Sequence, residues 1–207
     1  MSRTRVAVLI SGRGSNMQAL MQAADDPAYP AQIVQVIAND PRAGGLDYAR
    51  GRGVSALAID YKPFGDDRLA HEQAIDAALR DAGAEVVACA GYMRILTPYL
   101  TTAWSGRMIN IHPSLLPLFP GLHTHRRALE AGMKVHGCTV HEVTAHVDGG
   151  PIIGQAAVPV LAGDDEAALG TRVLRAEHRL YPACLAAFVS GQAAASEESA
   201  TLFNPSA

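Results

Sequence analysis

The stretch VAVLISGRGSN at residues 6–16 decides the fold. Five aliphatic residues in a row, with no polar residue among them, read as a strand buried on both faces, as in a parallel sheet covered on each side. The run stops at Ser11-Gly12-Arg13-Gly14, and residues 15–24 then carry a helical pattern. A strand that passes through a glycine turn straight into a helix is the opening of a β–α–β unit.

Working outward, the alternation repeats. Residues 33–38 (IVQVIA) read as a second strand closed by Asn39-Asp40-Pro41, followed by a short helix at 45–51 and a weaker strand at 55–59. A helix at 66–81 meets a stop at Gly83, and buried strands follow at 84–90 (AEVVACA) and 107–111 (RMINI). The second half changes character. Residues 137–145 and 152–160 read as longer, partly alternating strands flanking the turn signal Asp148-Gly149-Gly150-Pro151. Residues 164–190 form one closing helix, in which Pro182 is expected to kink or break the chain. The fold expected is α/β and Rossmann-like: a mostly parallel central sheet, an antiparallel C-terminal extension and a long closing helix. No repeat or linker divides the chain, so one domain is expected over 1–190, with a peripheral tail at 191–207.

The 207 residues are 49% hydrophobic and 18% charged, enough for a core and too balanced for disorder. A net charge of −3 argues against a nucleic-acid coat or a binder of anionic membranes, though it leaves room for one local phosphate site. Cys89, Cys138 and Cys184 are odd in number and widely spaced, the usage of a reducing compartment. The aliphatic run at 6–10 is too short for a signal segment or a membrane span, and a cytoplasmic location is expected.

Three clusters can carry chemistry. The loop Ser11–Asn16 lies between a buried strand and a helix, at the sheet end where α/β folds bind ligands. Its glycines and the helix N-terminus suit a small phosphate, and Ser15 reads as the helix N-cap. The same residues serve equally as a tight turn. Asn110 and His112, two apart on a strand, present an amide and an imidazole to one side, a pairing suited to a developing oxyanion and its proton transfers. A capping Asn and His in a polar loop is the plainer alternative. Asp148 stands on a turn from which a carboxylate could orient His112 and favour its protonated form. Six of eight histidines fall between residues 112 and 146, but without a metal-binding spacing; they read as scattered loop histidines, and no metal is expected.

Together, VLISGRGSNMQAL at 8–20, GYMRILTP at 91–98, MINIHPSLLPLFPGLHTHRRAL at 108–129, HEVTAHVDGGPIIGQ at 141–155 and EHRLYP at 177–182 resemble the folate-dependent formyltransferases of purine biosynthesis. The resemblance runs from about residue 5 to residue 190, and the NIHPSLLP and DGGPI elements make it specific. It implies transfer of a formyl group from 10-formyltetrahydrofolate, a consumed co-substrate rather than a bound cofactor, to the amine of glycinamide ribonucleotide. It implies Asn110, His112 and Asp148 as the catalytic trio. Gly14, Ser15 and Asn16 match residues that hold the ribonucleotide phosphate, and Glu177 a carboxylate near the acceptor amine. Met93, Arg94, Ile95, Leu96, Asn110 and the loop Thr144, Ala145, His146, Val147 and Asp148 match the folate pocket, with Arg68 an arginine on the folate side. Arg13, Leu118 and Phe119 depart from the usual Asn, Lys and Tyr.

Formyltetrahydrofolate deformylases and methionyl-tRNA formyltransferases share the same elements, but their additional domains do not fit in 207 residues. The expected partners are therefore two small molecules, with no nucleic acid and no membrane, acting on a monomer or homodimer. A binding module without turnover is disfavoured by the intact trio.

Overall fold

The aliphatic run lies at the centre of a seven-stranded sheet in the order β3-β2-β1-β4-β5-β6-β7, in a computed structural model describing residues 2–191. The strands are β1 (Thr4–Ile10), β2 (Ala31–Ala38), β3 (Ser55–Ala58), β4 (Val86–Cys89), β5 (Met108–His112), β6 (Val135–Glu142) and β7 (Ile152–Pro159). The first five pair in parallel, and β6 and β7 add antiparallel ladders beyond β5, as the sequence predicts. The expected tail falls outside the described residues except for Gly191.

Because successive strand residues point to opposite faces, β1 feeds two cores. Val6, Val8 and Ile10 pack on one side with residues of α1 (Ser15–Ala23), α2 (Gly44–Gly51) and α6 (Glu166–Val189). Ala7 and Leu9 pack on the other with Ile75 and Leu79 of α3 (Arg68–Asp81) and Leu100 of α4 (Pro98–Ala103). All of Val6–Ile10 is fully buried, each large side chain contributing about 1.5–3 kcal/mol. The order of strands reverses at β1, since β2 lies on one side of it and β4 on the other. That reversal opens a crevice at the carboxyl ends of β1 and β4.

Two short helices were not expected from the sequence, α4 and α5 (Thr124–Glu130). A third difference is at Pro182, which neither breaks nor ends α6. One missing N–H is outweighed by the apolar stripe that continues past it: Leu180 and Tyr181 before it and Leu185 after it are all buried, and Tyr29 donates its hydroxyl to the Pro182 carbonyl at 2.7 Å. Strand β6 also starts earlier and ends earlier than expected, which places His136 in the sheet.

Candidate active site

Asn110 and His112 share one face of β5, and the antiparallel register sets His141 opposite Asn110 and Thr139 opposite His112. The cross-strand pair is bonded, with Asn110 Nδ2 3.2 Å from His141 Nε2. His141 Nδ1 sits 2.8 Å from the Glu142 carbonyl, which only accepts, so Nδ1 carries the proton and Nε2 receives the Asn110 amide. Burial lowers the His141 pKa and favours this neutral ring. One Asn110 N–H is thus fixed, and the other remains as a donor.

His112 is buried and held from both ends of its ring. Nδ1 lies 3.4 Å from Asp148 Oδ2, and Nε2 lies 3.1 Å from the Phe119 carbonyl. Both nitrogens thus face acceptors, and the ring is gripped at each end. Asp148 reaches His112 because the β6–β7 loop doubles back over the sheet, where the carboxylate also accepts from Gly121 N at 2.8 Å. Phe119, His123 and Asp148 are non-glycine residues in the left-handed region (φ 53°, 57° and 52°), and all lie in the two loops around His112. Strain concentrated there is characteristic of a site whose geometry the surrounding fold imposes.

The loop after β5 is tied down by Thr139. Its hydroxyl donates to the Ser114 carbonyl at 2.7 Å and accepts from Leu116 N and Gln155 Nε2, both at 3.0 Å. Nearby, His136 Nε2 and His125 Nδ1 are 3.2 Å apart. Burial pushes His136 down to about 4, which keeps its ring neutral. The expectation of scattered loop histidines is thereby corrected: His112, His136 and His141 are strand residues, to which spacing along a helix face does not apply. Among the described residues no group of three or more His, Cys, Asp or Glu is placed to hold a metal ion.

At the β1 end, Gly14 rather than Ser15 is the N-cap of α1, correcting the expected role of Ser15. Gly14 adopts φ 69° and ψ 40°, a left-handed conformation that glycine takes without steric cost. Its loop is braced by Ser11, whose hydroxyl donates to Asn39 Oδ1 at 2.6 Å and accepts from Met93 N at 2.8 Å. No side chain caps the first amides of α1, a geometry that receives anions. Asn16 turns inward and donates from Nδ2 to Glu177 Oε2 at 2.8 Å across 161 residues. Its buried Oδ1 has no donor among the described residues.

Burial pushes the Glu177 carboxyl up to about 7, against the opposing pull of the Asn16 amide. The folded protein therefore keeps a proton that the unfolded chain loses above 4.5, and stability falls as pH rises from 4.5 to 7. Glu177→Gln removes this titration. Its stability relative to the parent is expected to grow by on the order of 3 kcal/mol across that window, read from denaturant midpoints. A difference that stays constant with pH contradicts the buried-carboxyl reading.

The segment 91–97 has no regular secondary structure. Met93 (69%) and Ile95 (61%) stand exposed, Leu96 packs inward, and the Arg94 guanidinium lies 4.2 Å from the Tyr61 ring centre. Arg68 Nη2 donates to the Ile95 carbonyl at 2.8 Å. In the other strip, Val147 (58%) is exposed beside Ala145 and His146, and Thr144 Oγ1 bonds within its own turn to the His146 carbonyl at 3.2 Å. The structure thus joins Asn110 to His141, which lies 3.8 Å from Asp148 Oδ1, and joins Asp148 directly to His112; it also joins Asn16 to Glu177 and Arg68 to Ile95. His141, Thr139 and Gln155 are functional-site neighbours that the sequence does not single out.

A model of the formyl transferase family matches residues 4–185. The chain belongs to the formyl transferase family. Phosphoribosylglycinamide formyltransferase of Escherichia coli is 43% identical over 95% of this chain and 92% of its own length. The human trifunctional purine biosynthetic protein adenosine-3 is 47% identical over 91% of the chain, but the chain spans only 19% of that protein. Among solved structures, phosphoribosylglycinamide formyltransferase from Brucella melitensis superposes with a TM-score of 0.87 at 52% identity, covering 94% of this chain and all (100%) of that one. Glycinamide ribonucleotide transformylase 1 from Symbiobacterium toebii gives 0.90 at 46% identity, covering 94% and 92%. This formyl transferase is thus an α/β enzyme of the same architecture as those proteins. No helix among its described residues is long and apolar enough to cross a membrane.

Proposed function

We propose that this formyl transferase carries the formyl group of 10-formyltetrahydrofolate to the primary amine of glycinamide ribonucleotide, in de novo purine biosynthesis. The observation that carries the reading is the trio: an amide and an imidazole on one strand face, the imidazole backed by a carboxylate 3.4 Å away. Such donors match the charge that develops when an amine adds to a formyl carbon.

In this mechanism the neutral amine attacks the formyl carbon, and the carbonyl electrons move to oxygen. The free N–H of Asn110 and the Nε2–H of His112, which leaves the Phe119 carbonyl, stabilise that oxyanion. Asp148 holds the ring in place and balances its charge. The C–N10 bond then breaks, and the proton lost by the amine reaches N10 through His112 or water. The folate is consumed as a co-substrate, and the steps use only protein donors and protons. The uncapped amides of Ser15 and Asn16, with the close approach allowed by Gly14, take the ribonucleotide phosphate, and Glu177 stands toward the amine. Met93, Arg94, Ile95 and Leu96 wall the pterin, with the 144–148 strip opposite and Arg68 on the same side.

Every group named comes from one chain, so the reading holds for a monomer or a homodimer and calls for neither nucleic acid nor membrane. The free, buried Cys89, Cys138 and Cys184 fit a cytoplasmic enzyme. The test is direct. Purified protein with both substrates is expected to form formylglycinamide ribonucleotide and tetrahydrofolate one for one. Loss of the formyl group at the same rate without the ribonucleotide would make the protein a hydrolase instead.

A further inference from the structure

Arg68, Glu72 and Asp76 are spaced four apart and form one stripe along α3. Each bonds to the segment that passes behind the crevice, in matching order. Arg68 takes the Ile95 carbonyl at 2.8 Å. Glu72 takes Thr97 twice, from the backbone N–H to Oε1 at 2.7 Å and from the hydroxyl to Oε2 at 2.6 Å. Asp76 takes the Tyr99 hydroxyl at 3.0 Å and Trp104 Nε1 at 2.9 Å, with Arg80 Nε at 3.0 Å.

Glu72 is the exceptional member. It is 3% exposed, and both of its oxygens are given to a single residue of an irregular segment. Burying a carboxylate is costly unless its bonds are strong and well placed, and a structural filler would need no charge. The segment is held at its other end by Ser11, through Met93 N at 2.8 Å. Between these two ties lie the exposed Met93 and Ile95, with Leu96 packed behind them against the second core. The backbone that carries the exposed side chains is therefore fixed from the rear and shaped by where Thr97 is held.

We propose that Glu72 is a positioning residue for folate binding: its two-point grip on Thr97 sets the wall formed by residues 93–96. The inference rests on the folate reading above. Glu72→Gln keeps an acceptor for Thr97 N but sets an NH2 donor against the Thr97 hydroxyl, which must turn round to accept it, so the charge-assisted grip is replaced by weaker neutral bonds. The KM for 10-formyltetrahydrofolate is expected to rise roughly tenfold, the scale of a lost bond to a charged group. The turnover number and the KM for glycinamide ribonucleotide should stay within about twofold, a split that general loosening of the fold would not produce. Thr97→Ser keeps both donors and should behave as the parent. Thr97→Val removes the hydroxyl, which also caps α4 by accepting from Tyr99 N at 3.3 Å, but keeps the backbone N–H; it should raise the folate KM by a smaller factor with turnover unchanged, so the grip is tested from its second side if Glu72→Gln does not fold. Combined with Glu72→Gln it should add less than its separate effect, because the two changes remove one shared interaction.

A folded Glu72→Gln with the parent's folate KM overturns the inference and leaves the proposed function standing, as does a fall in turnover with both KM values unchanged. A parent protein that does not use 10-formyltetrahydrofolate overturns both.

Discussion

A folded His112→Ala protein is expected to turn over at least roughly 10²-fold more slowly than the parent, with much smaller changes in the affinity for either substrate. The variant removes the ring that offers Nε2–H to the oxyanion and leaves Asp148 Oδ2 without the nitrogen that stood 3.4 Å away. Asp148 keeps the bond from Gly121 N at 2.8 Å, so the turn that carries it should persist. Asn110 remains bonded to His141, and one oxyanion donor therefore survives and sustains residual turnover. Single-turnover rates and substrate dissociation constants separate the two effects. Near-parental turnover in a folded variant would remove His112 from the chemistry.

Gly150→Ala should fall almost as far, through the backbone rather than through a reacting group. A Cβ at Gly150 would stand 1.9 Å from the Glu142 carbonyl oxygen and 2.8 Å from its carbon. Neither is a side chain that could swing aside, so the loop must move off β6. Asp148 lies two residues earlier, already at φ 52°, and its carboxylate would leave the His112 ring. A displacement of about 1 Å in a catalytic constellation can cost on the order of 10²-fold in rate, and a loss of that size is expected here with a lower melting temperature. Gly44→Ala is the control: its Cβ would meet nothing within 4 Å, and turnover should not change. Parental turnover in a folded Gly150→Ala protein would show that Asp148 need not be held against His112.

Elements that follow one dominant rule were legible in the sequence. The strand at 6–10 is unbroken aliphatic chain that runs through a glycine turn straight into a helix, and a buried parallel strand is what fits both features. The antiparallel pair around Asp148-Gly149-Gly150 announced itself through its turn. Helices α4 and α5 were not legible, because in six or seven residues capping competes with every other use of the same groups. Helix α4 carries Thr97 as an N-cap and Pro98 at its first position, a readable start that the preceding loop motif obscured. Helix α5 begins after His123 in a left-handed conformation with no side-chain cap, and sequence rules offer no sign of it. Pro182 was misjudged because helix rules weigh one lost bond and cannot see the packing that replaces it.

In the site, residue types and strand spacing singled out Asn110 and His112. The contact with Asp148, 36 residues further along, depends on a loop that doubles back, and no local pattern encodes that. His141 was hidden for a related reason: its importance lies in the antiparallel register that puts it across from Asn110, not in its neighbours along the chain. Asn16, which the sequence offered only as part of a phosphate-holding loop, is the donor to a buried carboxyl, so its removal would disturb Glu177 as well.

The bond between Asn16 and Glu177, 161 residues apart, also orders events during synthesis. At ribosomal rates of about 5–20 residues per second, Asn16 waits roughly ten to thirty seconds for its partner to be made. Strands β1, β2, β4 and β5 can pair well before then, while the face of the sheet against which α6 packs stays partly bare and the glycine loop lacks its inner brace. The nascent chain thus holds β5, with Asn110 and His112, before it holds the contact between Asn16 and Glu177, and for that interval one apolar face of the sheet lies open to solvent.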